Sequence, residues 1–144
     1  MDLLPGSEIT AGALNAEKLR MQIIAQNIAN AQTTKTKEGT PYRRQLVTFE
    51  TELVKASDAS PLSKDNQLLR GVRVDGIYDD PSDFQKIYNP SHPHADEQGM
   101  VAMPNVDMAM EMVDMIASSR SYEANLAVMK TSRNLAKQAL SINY

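Results

Sequence analysis

The chain has 144 residues, enough for one ordinary domain or a helical body with a single insertion, but not for two large independent domains. With 42% hydrophobic and 23% charged residues and a net charge of -3, nothing points to nucleic acid or another polyanion as a partner. Cysteine is absent, which rules out disulfides, thiolate metal sites and cysteine nucleophiles, and suits a chain that must enter an oxidising space.

The opening Met1-Asp2-Leu3-Leu4-Pro5-Gly6 has no basic region and no long apolar run, so no cleavable secretory signal is expected. All seven prolines fall outside residues 7–34 and 105–144, which hold Gly12 as their single glycine, and both segments are therefore free to be helices. In the first, Ile9, Ala13, Ala16, Ile23, Asn27 and Asn30 recur at helical spacings. Leu14, Met21, Ile24, Ile28 and Ala31 form a neighbouring stripe, giving one wide apolar face. Asn27 and Asn30 continue that face as polar residues, and a buried Asn costs stability while fixing register and partner number.

The middle differs in kind. Residues 45–49 and 72–74 alternate as half-buried strands, and 83–88 is expected to be a third. Residues 55–70 are rich in Ser, Asp and Lys and are expected to form a mobile loop. The turn-rich Asn89-Pro90-Ser91-His92-Pro93-His94 leads through Gly99 to the second helical segment.

There Met112, Met115, Ser119, Tyr122, Leu126, Met129, Arg133, Ala136 and Leu140 alternate steps of three and four, a heptad seam over about four repeats. Asp107 is placed to cap this helix, Glu111 and Asp114 suit its positive end, and Lys130, Arg133 and Lys137 lie toward the other. The expected fold is mainly α with a small β insertion. Its terminal helices pair as an antiparallel coiled-coil-like bundle, with a helical domain of residues 1–36 and 104–144 and a β-rich middle domain of residues 37–103. A two-helix pair leaves apolar stripe uncovered, so self-association or docking into a larger bundle is the default expectation.

Chemistry finds little support. His92 and His94, beside Asp96 and Glu97, are separated by Pro93 and lack a convincing third ligand, so a surface turn is the reading. Asp79, Asp80 and Asp83 surround Pro81 without the glycine and glutamate of a calcium loop, and read as a solvated acidic turn. No phosphate loop or nucleophile elbow occurs; no enzyme activity, cofactor, metal or small-molecule substrate is expected. The short basic run of Lys35, Lys37, Arg43 and Arg44 is assigned to inter-subunit or solvent contacts.

Gln26-Asn27-Ile28-Ala29-Asn30-Ala31-Gln32-Thr33 resembles the N-terminal signature of the flagellar rod and hook family. Glu111-Met112-Val113-Asp114-Met115-Ile116, followed by Ser119-Arg120-Ser121-Tyr122-Glu123-Ala124-Asn125, is similar to that family's C-terminal signature. Tyr88 to Asp96, Gly99-Met100-Val101 and Pro104-Asn105-Val106-Asp107 resemble the pre-helix segment of its short, proximal-rod members, with Met100 standing where an aromatic residue is expected. The resemblance covers the chain except residues 56–69.

It implies a structural subunit of the proximal rod of the bacterial flagellar basal body, polymerising through its terminal helices into a hollow, periplasm-spanning shaft. The implied partners are copies of itself, other rod proteins, membrane-ring and rod-adaptor proteins at the rod base, and the flagellar type III export apparatus. Interface positions are assigned to Ile9, Ala13, Ala16, Ile23, Asn27, Ile28 and Asn30 in the first helix. In the second they are Met112, Met115, Ser119, Arg120, Tyr122, Asn125, Leu126, Met129 and Leu140. A cytosolic helical adaptor or export chaperone is the alternative: it explains the stripes, but neither the two signatures nor the β-like insertion.

Overall fold

A computed structural model describes residues 5–54 and 69–141. Two helices frame a small β middle: α1 (Pro5–Ala29), β1 (Gln45–Val54), β2 (Leu69–Asp79), β3 (Gln85–Tyr88), β4 (Met100–Met103) and α2 (Met108–Ser141). The loop expected over residues 55–70 falls outside the described residues, except that Leu69 and Arg70 belong to β2.

α1 stops at Ala29, five residues short of the expected end, because the backbone tightens there. The Asn30 N–H is shared between the carbonyls of Gln26 and Asn27, and the Asn30 side chain turns back to donate to the Gln26 carbonyl at 2.9 Å. Thr33 then bonds both the carbonyl and the side chain of Asn30, and the Tyr42 N–H bonds Thr33, which leads the chain away from the helix axis. At the start of α2, Asp107 Oδ1 accepts the N–H groups of Ala109 and Met110, as its position before the helix foretells.

β1 and β2 form one antiparallel ribbon, Gln45 opposite Asp79 and Val54 opposite Leu69, with a bulge that places Asp75 as the extra residue between Thr48 and Phe49 of the partner strand. β3 and β4 form a second two-stranded sheet, Gln85 opposite Met103 and Tyr88 opposite Met100. Residues 100–103 read from sequence as part of a connection. They pair because the tight turn at Gly99 (φ 76°), with the Asp96 carboxylate holding the N–H groups of Gln98 and Met100, folds the chain back onto β3.

A two-stranded ribbon is marginal in water unless something covers it. α1 does so, and Gly12 is where it comes closest: a Cβ there would lie 3.0 Å from the Val72 carbonyl oxygen. The apolar core of the described residues is small, consisting of Ala16, Ile23, Ile24, Val101 and Val106, with Pro104 beside it. α1 and α2 pack along each other, Asn27 meeting Glu111 and Glu17 meeting Ser121.

Candidate functional site: a polar clasp and the uncovered helix faces

Where the helices meet the ribbon, the most buried large side chains are polar. Asn27 and Glu111 are each only 1% exposed. Burying an amide or a carboxylate without partners costs several kcal/mol, so the stability of this junction depends on how completely the two are satisfied. Asn27 is saturated. Its Nδ2 donates to the Gln45 carbonyl at 2.9 Å and to Glu111 Oε2 at 3.1 Å, while its Oδ1 accepts the Tyr42 hydroxyl at 2.9 Å and the Gln45 N–H at 3.0 Å. One side chain of α1 therefore fixes the first residue of β1, the approach to it, and the first turn of α2.

Glu111 is held from the other side by Arg44, whose Nε donates to Oε1 at 2.6 Å. Arg44 also faces Asp80 at 3.5 Å and Asp114 at 3.6 Å, while its backbone N–H bonds Asn105 Oδ1 at 2.7 Å. Asn105 in turn donates to the Asp80 carbonyl and to Ser82, binding the end of β2 to the segment before α2. Burial works against the Arg44 charge, but the hydrogen bond and charge of Glu111, then those of Asp80, outweigh it and hold the guanidinium above its ordinary pKa. Hydrogen bonds from Ser82, opposed by some desolvation and helped by Arg44, hold the Asp80 carboxyl below its usual range. Desolvation, then the charges of Asp79 and Glu111, push the Tyr42 hydroxyl up, so it remains a donor to Asn27.

Within the basic and acidic runs, Arg43, Arg44 and Asp80 thus have a different role from the one expected, while Lys35, Lys37, Asp79 and Asp83 are exposed. Arg43 lies 4.4 Å from the Phe84 ring and donates to the carbonyls of Asp80 and Ser82, and Arg44 closes the clasp, so both are spent inside the chain. Asp80 is a partner in that clasp rather than part of a solvated turn. Tyr42 was not singled out from sequence, and Arg44 was read only as part of a basic run facing other subunits or solvent. The available signal was a helix-start glutamate on a buried face, which demands a partner, together with the cations Arg43 and Arg44 immediately before β1. His92 and His94 lie edge to face at 5.3 Å, with His94 Nδ1 at 2.8 Å from the Thr34 hydroxyl. Among the described residues, no group of three or more His, Cys, Asp or Glu is arranged to hold a metal ion.

The assigned interface positions are distributed unevenly. On α1, Ala16, Ile23 and Asn27 are buried inside the chain, while Ile9, Ala13, Ile28 and Asn30 are half-buried. On α2, Met115, Ser119, Tyr122, Asn125, Leu126 and Met129 are half-buried, whereas Met112, Arg120 and Leu140 are exposed. The covered side of α2 runs through Glu111, Met115, Ser118, Tyr122, Asn125, Met129, Ser132 and Ala136: it shares Met115, Tyr122, Met129 and Ala136 with the seam read from sequence and departs from it by one residue at the alternate positions. The cause is Glu111: the clasp draws position 111, not Met112, toward α1. On the opposite side, Val113, Ile116, Val128 and Leu135 are each more than half exposed. Inside the helix pair, Ser121 donates to Glu17 Oε1 at 3.2 Å, while Glu17 Oε2 and Ser118 Oγ are buried with no partner among the described residues.

Comparison with known proteins places these features in a family. The profile described as "Flagella basal body rod protein" matches residues 8–35, and the one described as "Flagellar basal body rod FlgEFG protein C-terminal" matches residues 97–142. These two segments contain Asn27 and Glu111, the two buried halves of the clasp. The flagellar basal-body rod protein FlgC of Bacillus subtilis is 39% identical over 140 residues, covering 93% of each chain. FlgC of Borreliella burgdorferi is 38% identical over 149 residues, and that of Yersinia enterocolitica 39% over 142, each covering 99% of this chain and 98% of the relative. Matched from end to end at this level of identity, the chain belongs to the flagellar basal-body rod protein FlgC family.

Proposed function

We infer that this chain is a structural subunit of the flagellar basal-body rod, and that it assembles by packing the uncovered sides of its helices against neighbouring rod subunits. The observation that carries the mode of assembly is the second apolar face of α2. Val113, Ile116, Val128 and Leu135 lie opposite the side that meets α1, and their own chain leaves them exposed. At roughly 25 cal/mol per Å², a few hundred Å² of such surface favours association by several kcal/mol before entropic costs. The work is packing, as in a family of structural rod proteins, and not catalysis.

Further elements belong to the same proposal. The helices pair as an antiparallel, coiled-coil-like unit: the contacts of Asn27 with Glu111 and of Glu17 with Ser121 support this, since ten residues back along α1 correspond to ten forward along α2. Residues 1–36 and 104–144 serve as the assembly domain, and residues 37–103 as the β-rich middle. Among the assigned interface positions, Met112, Arg120 and Leu140, with the half-buried Ile9, Ala13, Ile28, Asn30, Ser119 and Leu126, keep surface for neighbours. Ala16, Ile23 and Asn27 act through the fold that presents them. The subunit occupies the proximal, periplasm-spanning part of the rod, meets membrane-ring and rod-adaptor proteins at its base, and travels through the flagellar type III export apparatus. The absence of cysteine suits that route.

Fractionation tests the reading against that of a cytosolic adaptor. The chain should co-purify with detergent-extracted basal bodies, and deletion of its gene should remove the rod beyond the membrane ring in electron micrographs. Intact rods in the deletion strain, or a chain confined to the cytosol, would refute it.

A further inference from the structure

We propose that the two ends of α2 dock on one another between copies: the basic last turns of one chain seat on the acidic β3–β4 end of the next. This rests on the rod-subunit reading and adds to it the surface and the sense of one contact. α2 is charged asymmetrically. After Glu123 its only charged residues through Ser141 are Lys130, Arg133 and Lys137, all exposed and spaced three and four apart, so that they share one face. Leu140, 59% exposed, continues that face.

At the other end Asp83, Asp96, Glu97 and Asp107 are all exposed around β3 and β4, and Lys86 is the one lysine or arginine in residues 80–107. Ile87 and Tyr88 add exposed apolar surface there, Tyr88 at 69%. Each end thus offers apolar contact with a net charge of one sign, acidic around β3 and β4 despite Lys86 and basic at the end of α2. Within a single chain they cannot meet, because Met108 and Lys137 lie about 44 Å apart along the helix at 1.5 Å per residue.

Cations near a helix C-terminus also interact with its dipole, but that effect fades within the last turn. Lys130 and Arg133 stand two or more turns from Ser141, so the dipole accounts neither for them nor for the shared face. A contact between unlike ends does not close on itself. It propagates as an open, head-to-tail array, the symmetry a shaft requires.

The cysteine-free sequence makes the test direct. Full-length Lys137→Cys and Glu97→Cys variants are mixed and mildly oxidised. The mixture should yield about tenfold more crosslinked dimer than either variant alone. That yield should collapse in about 1 M salt, where screening acts within about 3 Å. Adding Lys130→Glu and Arg133→Glu to the first chain should abolish the crosslink, and adding Asp83→Lys and Gln98→Lys to the second, which leaves the Asp96 carboxylate that holds the Gly99 turn in place, should restore it, a rescue that misfolding cannot produce. A mixed yield no greater than that of the separate variants, or no rescue, overturns the contact. Recovery of the unaltered chain in basal bodies would then leave the rod-subunit reading standing, whereas its absence from basal bodies would refute that reading whatever the crosslinks show.

Discussion

Replacing Glu111 by Gln tests whether the clasp, rather than the small apolar core, holds the helices to the ribbon. The substitution keeps size and shape but leaves one acceptor oxygen where the carboxylate has two. Both are in use: Oε1 takes Arg44 Nε at 2.6 Å, and Oε2 takes Asn27 Nδ2 at 3.1 Å. Whichever way the amide turns, its NH2 group faces one of these donors. The lost charge-assisted bond is worth about 1.5–3 kcal/mol and the orphaned buried donor costs about 1–3 more. Asp80 and Asp114 remain within 3.6 Å of Arg44 and recover part of this, so the net loss should be about 3 kcal/mol. Urea unfolding of the purified chain, followed by far-ultraviolet circular dichroism, measures it as a lowered midpoint at unchanged slope. Glu52→Gln, which touches only the exposed ion pair with Arg73, is the control and should shift stability by less than about 1 kcal/mol. If Glu111→Gln behaves like that control, the clasp is not what holds the junction.

Three further outcomes follow from the geometry. Gly12→Val should destabilise the chain by about 2 kcal/mol in the same urea titration, because a β-branched side chain must push α1 off the Val72 carbonyl already 3.0 Å from a single added carbon. Asp80 has a lowered folded pKa, so its contribution is present above the unfolded value of about 3.9 and is lost as pH falls through the folded value. The stability gap between wild type and Asp80→Asn should therefore be constant near neutrality and narrow below about pH 4 in acid titrations of the unfolding midpoint. Ile116→Asp and Leu126→Asp should part company: the exposed Ile116 tolerates the charge in the isolated chain but blocks incorporation into basal bodies. At the half-buried Leu126 the charge should also lower the unfolding midpoint, as unfolding of both purified variants alongside motility will show.

The helices were legible because proline is absent from residues 7–34 and 105–144, where Gly12 is the single glycine, and apolar residues recur at three and four over long spans. Such patterns survive whatever tertiary context surrounds them. β1 and β2 were legible for the same reason, although their alternation understated their length: a bulged ribbon carries exposed residues such as Phe49 and Ile77 that break a simple two-sided pattern. β4 was hidden because Met100-Val101-Ala102-Met103 has no alternation, and its pairing depends on Gly99 and Asp96 rather than on its own composition. The end of α1 was misjudged because Asn30 and Thr33 form a polar turn where the apolar stripe continues to Ala31.

The clasp was half legible. Asn27 stood out as a polar residue on an apolar face, and Glu111 as a carboxylate at a helix start, but their contact spans 84 positions and no local pattern encodes it. That contact joins the two flagellar signatures from opposite ends of the chain: each supplies one buried half of a single polar junction. Because Asn27 uses every donor and acceptor it has, the relation between helices and ribbon is set by directional bonds rather than by buried area. A core this small can then suffice for the chain's own fold, leaving apolar surface on the far side of α2 for neighbours. A larger internal core would consume the faces that a rod subunit must present, so the clasp and the exposed stripe are two parts of one solution.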